Sequence, residues 1–181
     1  MKNYKEKLKY INTFIFDFDG VLTNGKVVTL PLQVNRNVVC TSVLVTNVID
    51  GYAIQYAVKQ GYNVCILTGN QDAYLCGKHR FEDNLGAEII HSNNKIEEFR
   101  QYIKAKHIQA QNVVYMGDDI PDYKVMQLSG LKTCPADAVV EIQAIADYIS
   151  IYKGGEGCVR DIIEQTLRAQ DKWLHESAYI W

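Results

Sequence analysis

Short apolar runs alternate with amphipathic stretches along most of the chain, and this alternation restricts its fold more than any other feature. Between the runs, apolar residues recur at helical spacing, as at Ile96, Phe99 and Ile103. Alternating strands and helices predict an α/β protein of the Rossmann-like, doubly wound kind, with a mainly parallel sheet and helices on both faces. The runs read as strands are Phe14–Phe16, Val64–Leu67, Glu88–Ile90, Val113–Met116, Leu131–Cys134 and, more weakly, Tyr148–Ile151.

Residues 26–48 interrupt this rhythm, because they are β-branched and polar without a helical period. Pro31 and the polar residues 35–37 divide them, which predicts one β-hairpin, or two, inserted between the first strand and the first helix. No linker, repeat or low-complexity tract follows, so the 181 residues are expected to form a single domain, with a tail from residue 171 to 181. The hairpin is too apolar to remain in water and is expected to seek a second chain.

The charge balance narrows the classes of partner. Nineteen Lys and Arg residues against 21 Asp and Glu residues give a net charge of -2, which gives no reason to expect nucleic acid or an anionic membrane as partner. No apolar stretch approaches the length of a membrane span. The five cysteines are scattered without a C-x-x-C pair, so reduced thiols and a cytoplasmic location are expected.

Polar motifs follow several of the predicted strands at their carboxyl ends, where open α/β sheets bind their ligands. Each motif has an ordinary structural alternative: a helix cap for the acidic pairs, a turn for Thr-Gly, and a solvated surface residue for the lysine. Their convergence on one edge of the sheet favours a functional site instead. The four features are Asp17-Phe18-Asp19-Gly20, Thr68-Gly69-Asn70, Lys95 at the start of an amphipathic helix, and Gly117-Asp118-Asp119-Ile120-Pro121-Asp122.

At least three carboxylates at one place would repel one another, and a hard divalent cation with oxygen ligands, Mg²⁺ above all, resolves that repulsion. Lys95 and the Thr68 hydroxyl would then bind phosphate oxygens. Asp17 and Asp19 are two residues apart at a strand end, so both can face one reacting centre. One could attack phosphorus while the other protonates the leaving oxygen and later activates water.

Together these motifs resemble, in order and spacing, the four motifs of the haloacid dehalogenase superfamily of phosphatases. The resemblance implies Asp17 as nucleophile, Asp19 as general acid and base, and Thr68 and Lys95 as phosphate-binding residues. It implies Mg²⁺ held by the Asp17 carboxylate, the Asp19 carbonyl and Asp118. Either Asp119 or Asp122 would complete the metal site.

A narrower resemblance covers nearly the whole chain. The hairpin, the absence of a cap domain, the Asp50–Ile54 segment and the Gly154–Asp161 segment are similar to the 3-deoxy-D-manno-octulosonate 8-phosphate (KDO 8-phosphate) phosphatases. That similarity implies a role in lipopolysaccharide precursor synthesis and a homotetramer whose hairpins and tails close neighbouring sites, as a site without its own lid requires.

The chain departs from that family at three positions, which leaves a nonulosonate 9-phosphate or another sugar phosphate as the alternative substrate. Asn70 stands where Arg is usual after Thr-Gly, Ile49 stands where Arg usually precedes Asp-Gly, and Glu156 replaces an Arg. Arg80 and Arg160 are then candidates to bind the substrate carboxylate, and Gly69 and Asn70 are further candidates for substrate contact.

Two hypotheses from other classes compete with an enzyme. A phosphoreceiver signalling domain also groups acidic residues, Thr and Lys around Mg²⁺, but there Thr and Lys follow the phosphorylated Asp, whereas Thr68 and Lys95 precede Asp118. An inactive phosphatase scaffold is the other, and the four intact motifs disfavour it. Finally, Trp173, Tyr179 and Trp181 give the tail more aromatic residues than a frayed end needs, so it is expected to pack on a second subunit or on its own.

Overall fold

The structure is a computed structural model that describes residues 3–34 and 37–179. Its main feature is a six-stranded sheet in which every pair of neighbouring strands is parallel. The predicted α/β fold is therefore confirmed, and each predicted strand is found within two residues of its expected bounds. The strands are β1 (Thr13–Phe16), β2 (Val28–Val34), β3 (Asn37–Val43), β4 (Asn63–Thr68), β5 (Glu88–His91), β6 (Val113–Met116), β7 (Leu131–Cys134) and β8 (Tyr148–Ile149).

The order of the strands in the main sheet is β5-β4-β1-β6-β7-β8. The chain therefore runs outward from β1 through β4 to β5, and then returns to the other side of β1 to begin β6. This reversal of direction beside β1 leaves a crevice at the carboxyl ends of β1 and β6, which is where open α/β sheets bind ligands.

Helices cover both faces of the sheet. The helices are α1 (Tyr4–Leu8), α2 (Val48–Lys59), α3 (Gln71–Gly77), α4 (Lys95–Ala105), α5 (Tyr123–Met126), α6 (Val140–Ile145) and α7 (Cys158–Ala169). Successive β1 residues point to opposite faces, so Phe14 and Phe16 pack in one core with α2 and α7, whereas Ile15 packs in the other with α4, α5 and α6. Asn47, Asn70 and Asn94 cap α2, α3 and α4 with their side-chain oxygens.

The inserted segment forms one antiparallel hairpin, β2 with β3, paired from Val28 opposite Val43 to Val34 opposite Asn37. Between β1 and α2, the described residues contain no other helix or strand, so no cap domain is found there. The hairpin region exposes apolar side chains to solvent in the single chain, among them Val27 at 63%, Val28 at 50% and Val45 at 67%. The single chain thus leaves this apolar surface uncovered.

The tail packs on helix α2 of its own chain as far as it is described. The Tyr56 hydroxyl donates to the Lys172 carbonyl at 2.9 Å, and the Tyr52 hydroxyl donates to the Ala178 carbonyl at 2.5 Å. Trp173 meets the Tyr56 ring edge-on, with 5.4 Å between the ring centroids. Of the two outcomes expected for the tail, packing on its own chain is observed; Trp181 lies outside the described residues.

None of the helices described combines the length and the apolar character that crossing a bilayer requires.

Candidate active site

The nucleophile predicted from the sequence follows β1 directly and is buried. Asp17 is 8% exposed, and its Oδ1 accepts a hydrogen bond from the Phe18 backbone N–H at 2.7 Å. Its Oδ2 lies 2.8 Å from the Lys95 ammonium, which enters from the first turn of α4. The two Asp17 oxygens are thus held by two different donors, and the carboxylate has a fixed orientation.

Asp122 connects three parts of the site and has no exposed surface. Its Oδ1 accepts from the Lys95 ammonium at 2.8 Å and from the Tyr115 hydroxyl at 2.8 Å. Its Oδ2 accepts from the Asp118 backbone N–H at 3.2 Å. Asp122 therefore fixes both the position of Lys95 and the turn that presents Asp118.

Carboxylate oxygens of Asp17, Asp118 and Asp122 lie within 4.8 Å of one another. Asp119, the other residue considered for the metal site, is exposed and caps the short 3-10 helix after β6 by accepting from the Ile120 N–H at 2.7 Å. The structure therefore brings Asp122, rather than Asp119, to the predicted cluster.

The electrostatics of this cluster call for a cation. Burial raises the pKa of Asp17 well above its usual range and the Asp122 charge raises it further, although Lys95 opposes both. Burial, followed by the charges of Asp122 and Asp119, raises the pKa of Asp118 to about 7. Burial by itself would lower the pKa of Lys95, but the Asp17 and Asp122 charges outweigh it and raise that pKa.

Three buried or half-buried carboxylates thus face a single ammonium group, that of Lys95. The atoms that they offer to a metal ion are all oxygens. A hard divalent cation such as Mg²⁺ fits this donor set, because it supplies the missing positive charge and prefers oxygen ligands.

Asp19 lies in the turn after β1, and its carboxylate is not a member of this cluster. Its Oδ2 accepts from the Asn70 amide nitrogen at 2.9 Å, while the Asn70 backbone N–H donates to the Thr68 hydroxyl at 3.0 Å. Thr68 is 1% exposed at the end of β4. The predicted phosphate-binding motif and the predicted general acid are therefore joined through Asn70.

The glycine-rich segment before α7, residues 154–157, packs against the catalytic loop, which carries Asp17 and Asp19. Gly154 packs so closely on the Gly20 carbonyl that a Cβ atom would collide with it, and Gly155 has a φ of +69°. The Gly155 N–H donates to the Val21 carbonyl at 2.9 Å, and the Cys158 thiol donates to the same carbonyl at 3.3 Å. A side chain at residue 154 would therefore displace the loop that carries Asp17 and Asp19.

The remaining predicted substrate residues lie apart from the carboxylate cluster. Gly69 is exposed and, with Lys95, lines a cleft of about 760 Å³ that opens beside the site. Arg160 lines a different cleft, of about 460 Å³, where its guanidinium pairs with Glu164 at 2.8 Å. Arg80 lies against Gly51 on α2, and its Nε is buried without a hydrogen-bond partner among the described residues. Contact of these residues with substrate stays a prediction.

The sequence indicated no role for the Tyr115 hydroxyl at the site or for the Asp50 carboxylate away from it. Tyr115 occupies the middle of an apolar run, where nothing in the pattern distinguishes its hydroxyl, yet burial and then the Asp122 charge raise its pKa well above its usual range, so it stays a donor. Asp50 is 1% exposed and accepts from the Arg160 backbone N–H at 2.7 Å, which anchors α2 to the first turn of α7. The Asp50-Gly51 pair in the sequence is the signal that could have identified Asp50.

Comparison with known proteins agrees with this geometry. A family model described as haloacid dehalogenase-like hydrolase matches residues 80–162. The chain is 33% identical over 171 residues to the 3-deoxy-D-manno-octulosonate 8-phosphate phosphatase KdsC of Salmonella typhi, covering 92% of this chain and 84% of that protein. The corresponding protein of Yersinia pestis is 30% identical over 164 residues, covering 90% of this chain and 82% of the relative.

Solved structures give the same result. The 3-deoxy-D-manno-octulosonate 8-phosphate phosphatase of Moraxella catarrhalis, crystallised with a magnesium ion, a phosphate ion and KDO, superposes with a TM-score of 0.83 at 28% identity, covering 96% of this chain and 95% of that one. The cobalt-bound phosphatase of Haemophilus influenzae superposes with a TM-score of 0.80 at 26% identity, covering 96% and 98% of the two chains.

Proposed function

Because the chain belongs to the KDO 8-phosphate phosphatase family of haloacid dehalogenase-like hydrolases, we propose that it hydrolyses KDO 8-phosphate, through an aspartyl-phosphate on Asp17, with Mg²⁺ as its cofactor. The relatives named for that activity, and the solved relative that holds Mg²⁺, phosphate and KDO, support this substrate and cofactor.

One observation carries the proposal. The Asp17 Oδ2 atom lies 2.8 Å from the Lys95 ammonium, inside a cluster of three carboxylates at the carboxyl edge of the sheet. A nucleophile beside a buried cation is what attack on an anionic phosphate group requires, since the ammonium offsets the repulsion between carboxylate and phosphate oxygens.

The chain's own residues account for the two halves of the reaction. In the first, a bond forms between an Asp17 oxygen and phosphorus, the bond to the leaving oxygen breaks, and Asp19 gives that oxygen a proton. Lys95 and the Thr68 hydroxyl hold the phosphate oxygens. In the second, Asp19 takes a proton from water, the water oxygen bonds to phosphorus, and the bond to Asp17 breaks.

Asp17, Asp118 and the Asp19 carbonyl would hold the metal ion, with Asp122 beside them. When bound, Mg²⁺ neutralises the carboxylates and the phosphate oxygens and so favours in-line attack.

Three departures from the family bear on the sugar part of the substrate. Asn70, Ile49 and Glu156 replace arginines that are usual in this family, and Glu156 is exposed while Ile49 is 48% exposed. A nonulosonate 9-phosphate, or another sugar phosphate, is the alternative substrate. Arg80 and Arg160 remain the proposed partners of a substrate carboxylate.

We also propose that the protein works as a cytoplasmic homo-oligomer, most simply a tetramer. The exposed valines of the hairpin region support self-association, since apolar hairpin surface is stabilised by burial against another chain. The free thiols of Cys65, Cys134 and Cys158, which are buried, support a reducing compartment.

The test is phosphate release from a panel of KDO 8-phosphate, a nonulosonate 9-phosphate and common hexose phosphates, with Mg²⁺ or with chelator. We expect KDO 8-phosphate to give the largest kcat/KM and chelator to abolish turnover reversibly. Asp17→Asn should be folded by circular dichroism and inactive, because an amide is a far poorer nucleophile than a carboxylate. If another ester gives a larger kcat/KM, that ester replaces KDO 8-phosphate as the proposed substrate. An active Asp17→Asn variant would refute the mechanism.

A further inference from the structure

Asn70 makes three contacts that together determine which way its side-chain amide faces. Its Oδ1 accepts from the Asp72 N–H at 2.9 Å and from the Ala73 N–H at 3.2 Å, which caps helix α3. An amide oxygen held by two backbone donors cannot exchange places with the nitrogen, because the nitrogen would then face N–H groups. The start of α3 thus directs the Asn70 Nδ2 group towards Asp19.

The Nδ2 group donates to the Asp19 Oδ2 atom at 2.9 Å. A carboxyl group whose Oδ2 accepts that hydrogen bond carries its acid proton on Oδ1. Asn70 therefore determines which Asp19 oxygen can deliver a proton and also restricts the rotation of the side chain.

We propose that Asn70 is a positioning residue for proton transfer: it holds the Asp19 carboxyl so that its free oxygen meets the leaving oxygen of the phosphate ester. This inference rests on the proposed function. It gives the Asn70 amide a role other than substrate recognition.

The proposal is tested by the dependence of rate on the leaving group. An alkyl phosphate expels a strongly basic oxygen that needs a proton in the transition state. By contrast, p-nitrophenyl phosphate expels p-nitrophenolate, whose weakly basic oxygen does not need one. The ratio of kcat/KM for glycerol phosphate or a hexose phosphate to that for p-nitrophenyl phosphate therefore reports proton delivery. A role of Asn70 in capping alone would not change this ratio.

Two variants separate the helix-capping role of Asn70 from its hydrogen bond to Asp19. Ser and Asp cap helices about as well as Asn. Asn70→Ser keeps the cap but lacks the amide nitrogen that donates to Asp19, and Asn70→Asp places an oxygen opposite Asp19. We expect both to melt within a few degrees of the wild type. We expect kcat/KM to fall about 10- to 100-fold on the alkyl ester and less than about threefold on p-nitrophenyl phosphate, since general acid catalysis contributes roughly 10²- to 10⁴-fold.

Equal losses on both esters, or no loss on either, in a folded variant would overturn the inference while leaving the phosphatase activity in place. A wild-type protein inactive on every ester with Mg²⁺ would instead refute the proposed function, and the role of Asn70 with it. Asn70→Ala, which loses both cap and donor, should show the same change in ratio together with a lower melting temperature.

Discussion

The Lys95 ammonium lies 2.8 Å from the Asp122 Oδ1 atom, and that carboxylate has no exposed surface. The same ammonium lies 2.8 Å from Asp17. Lys95 is therefore held between Asp17, which is proposed to react, and Asp122, which positions Lys95. Both carboxylates favour the charged form of the lysine. The arrangement assigns two different tasks: Lys95 is proposed to bind phosphate, and Asp122 orients Lys95. A sequence motif alone cannot make that distinction.

Removing the charge of Asp122 should impair catalysis more than removing the hydroxyl that donates to it. We expect Asp122→Asn to lower kcat/KM by about tenfold or more, because the hydrogen bond from Lys95 is no longer charge-assisted on the acceptor side. Tyr115→Phe should lower the free energy of unfolding by about 1 kcal/mol with a smaller effect on rate. Tyr102→Phe is the matched control, since that buried tyrosine donates to Glu88 instead. Wild-type kinetics in Asp122→Asn would exclude the orienting role.

Asp118 and Asp119 are adjacent but should differ sharply in their effect on Mg²⁺. Asp118→Ala removes a member of the carboxylate cluster, so we expect the Mg²⁺ concentration for half-maximal activity to rise about tenfold or more. Asp119→Ala removes the cap of a 3-10 helix and a charge near Asp118, but no member of the cluster, so we expect it to change this concentration much less. Titration of activity with Mg²⁺ measures both. An equal effect of the two substitutions would mean that the cluster is not the metal site.

Asp50 should make stability depend on pH. Burial raises its pKa to about 6, against about 3.8 unfolded, although backbone N–H groups of α7 oppose the shift. A folded-state pKa above the unfolded one favours the fold most at low pH, and this contribution is lost as pH rises through about 6. Between pH 5 and pH 8 the wild type should therefore lose about 1 kcal/mol of unfolding free energy that Asp50→Asn does not lose. Denaturant titrations at both pH values test this, and parallel curves for the two proteins would contradict it.

Charged residues on the hairpin should break the proposed oligomer. We expect Val28→Lys with Leu30→Lys to yield monomers by light scattering, because both side chains are 44–50% exposed in the single chain. Activity on KDO 8-phosphate should fall more than activity on an aryl phosphate, since remote contacts orient a large substrate. Val140→Lys, at a site 73% exposed on α6, is the control. A fully active wild-type monomer would refute the assembly.

The sequence is sufficient to predict the sheet and the motifs at the ends of its strands, because parallel strands that are buried on both faces are almost continuously apolar. It identified Asp17, Asp118 and Lys95 as neighbours for the same reason: the carboxyl ends of parallel strands meet at one edge. The choice between Asp119 and Asp122 needed the turn after β6, whose 3-10 geometry leaves the first at the surface and directs the second inward.

Contacts that depend on side-chain direction could not be predicted. Asn70 was considered only for substrate contact, because its pairing with Asp19 joins two loops 51 residues apart. Arg160 was a candidate for a substrate carboxylate, yet its guanidinium lies 4.8 Å from the Trp173 ring and pairs with Glu164. No periodicity in a sequence records contacts of this kind.

The support that Gly154, Gly155 and Cys158 give to the catalytic loop has a consequence for synthesis of the protein. The Cys158 thiol and the Val21 carbonyl are separated by 137 residues, so the loop bearing the nucleophile is made early and its support is made late. At about 5–20 residues per second, a ribosome needs on the order of ten seconds to bridge that interval. During that time the nascent chain carries the nucleophile of a phosphatase without its support, and the loop is supported only after residues 154–158 have been made.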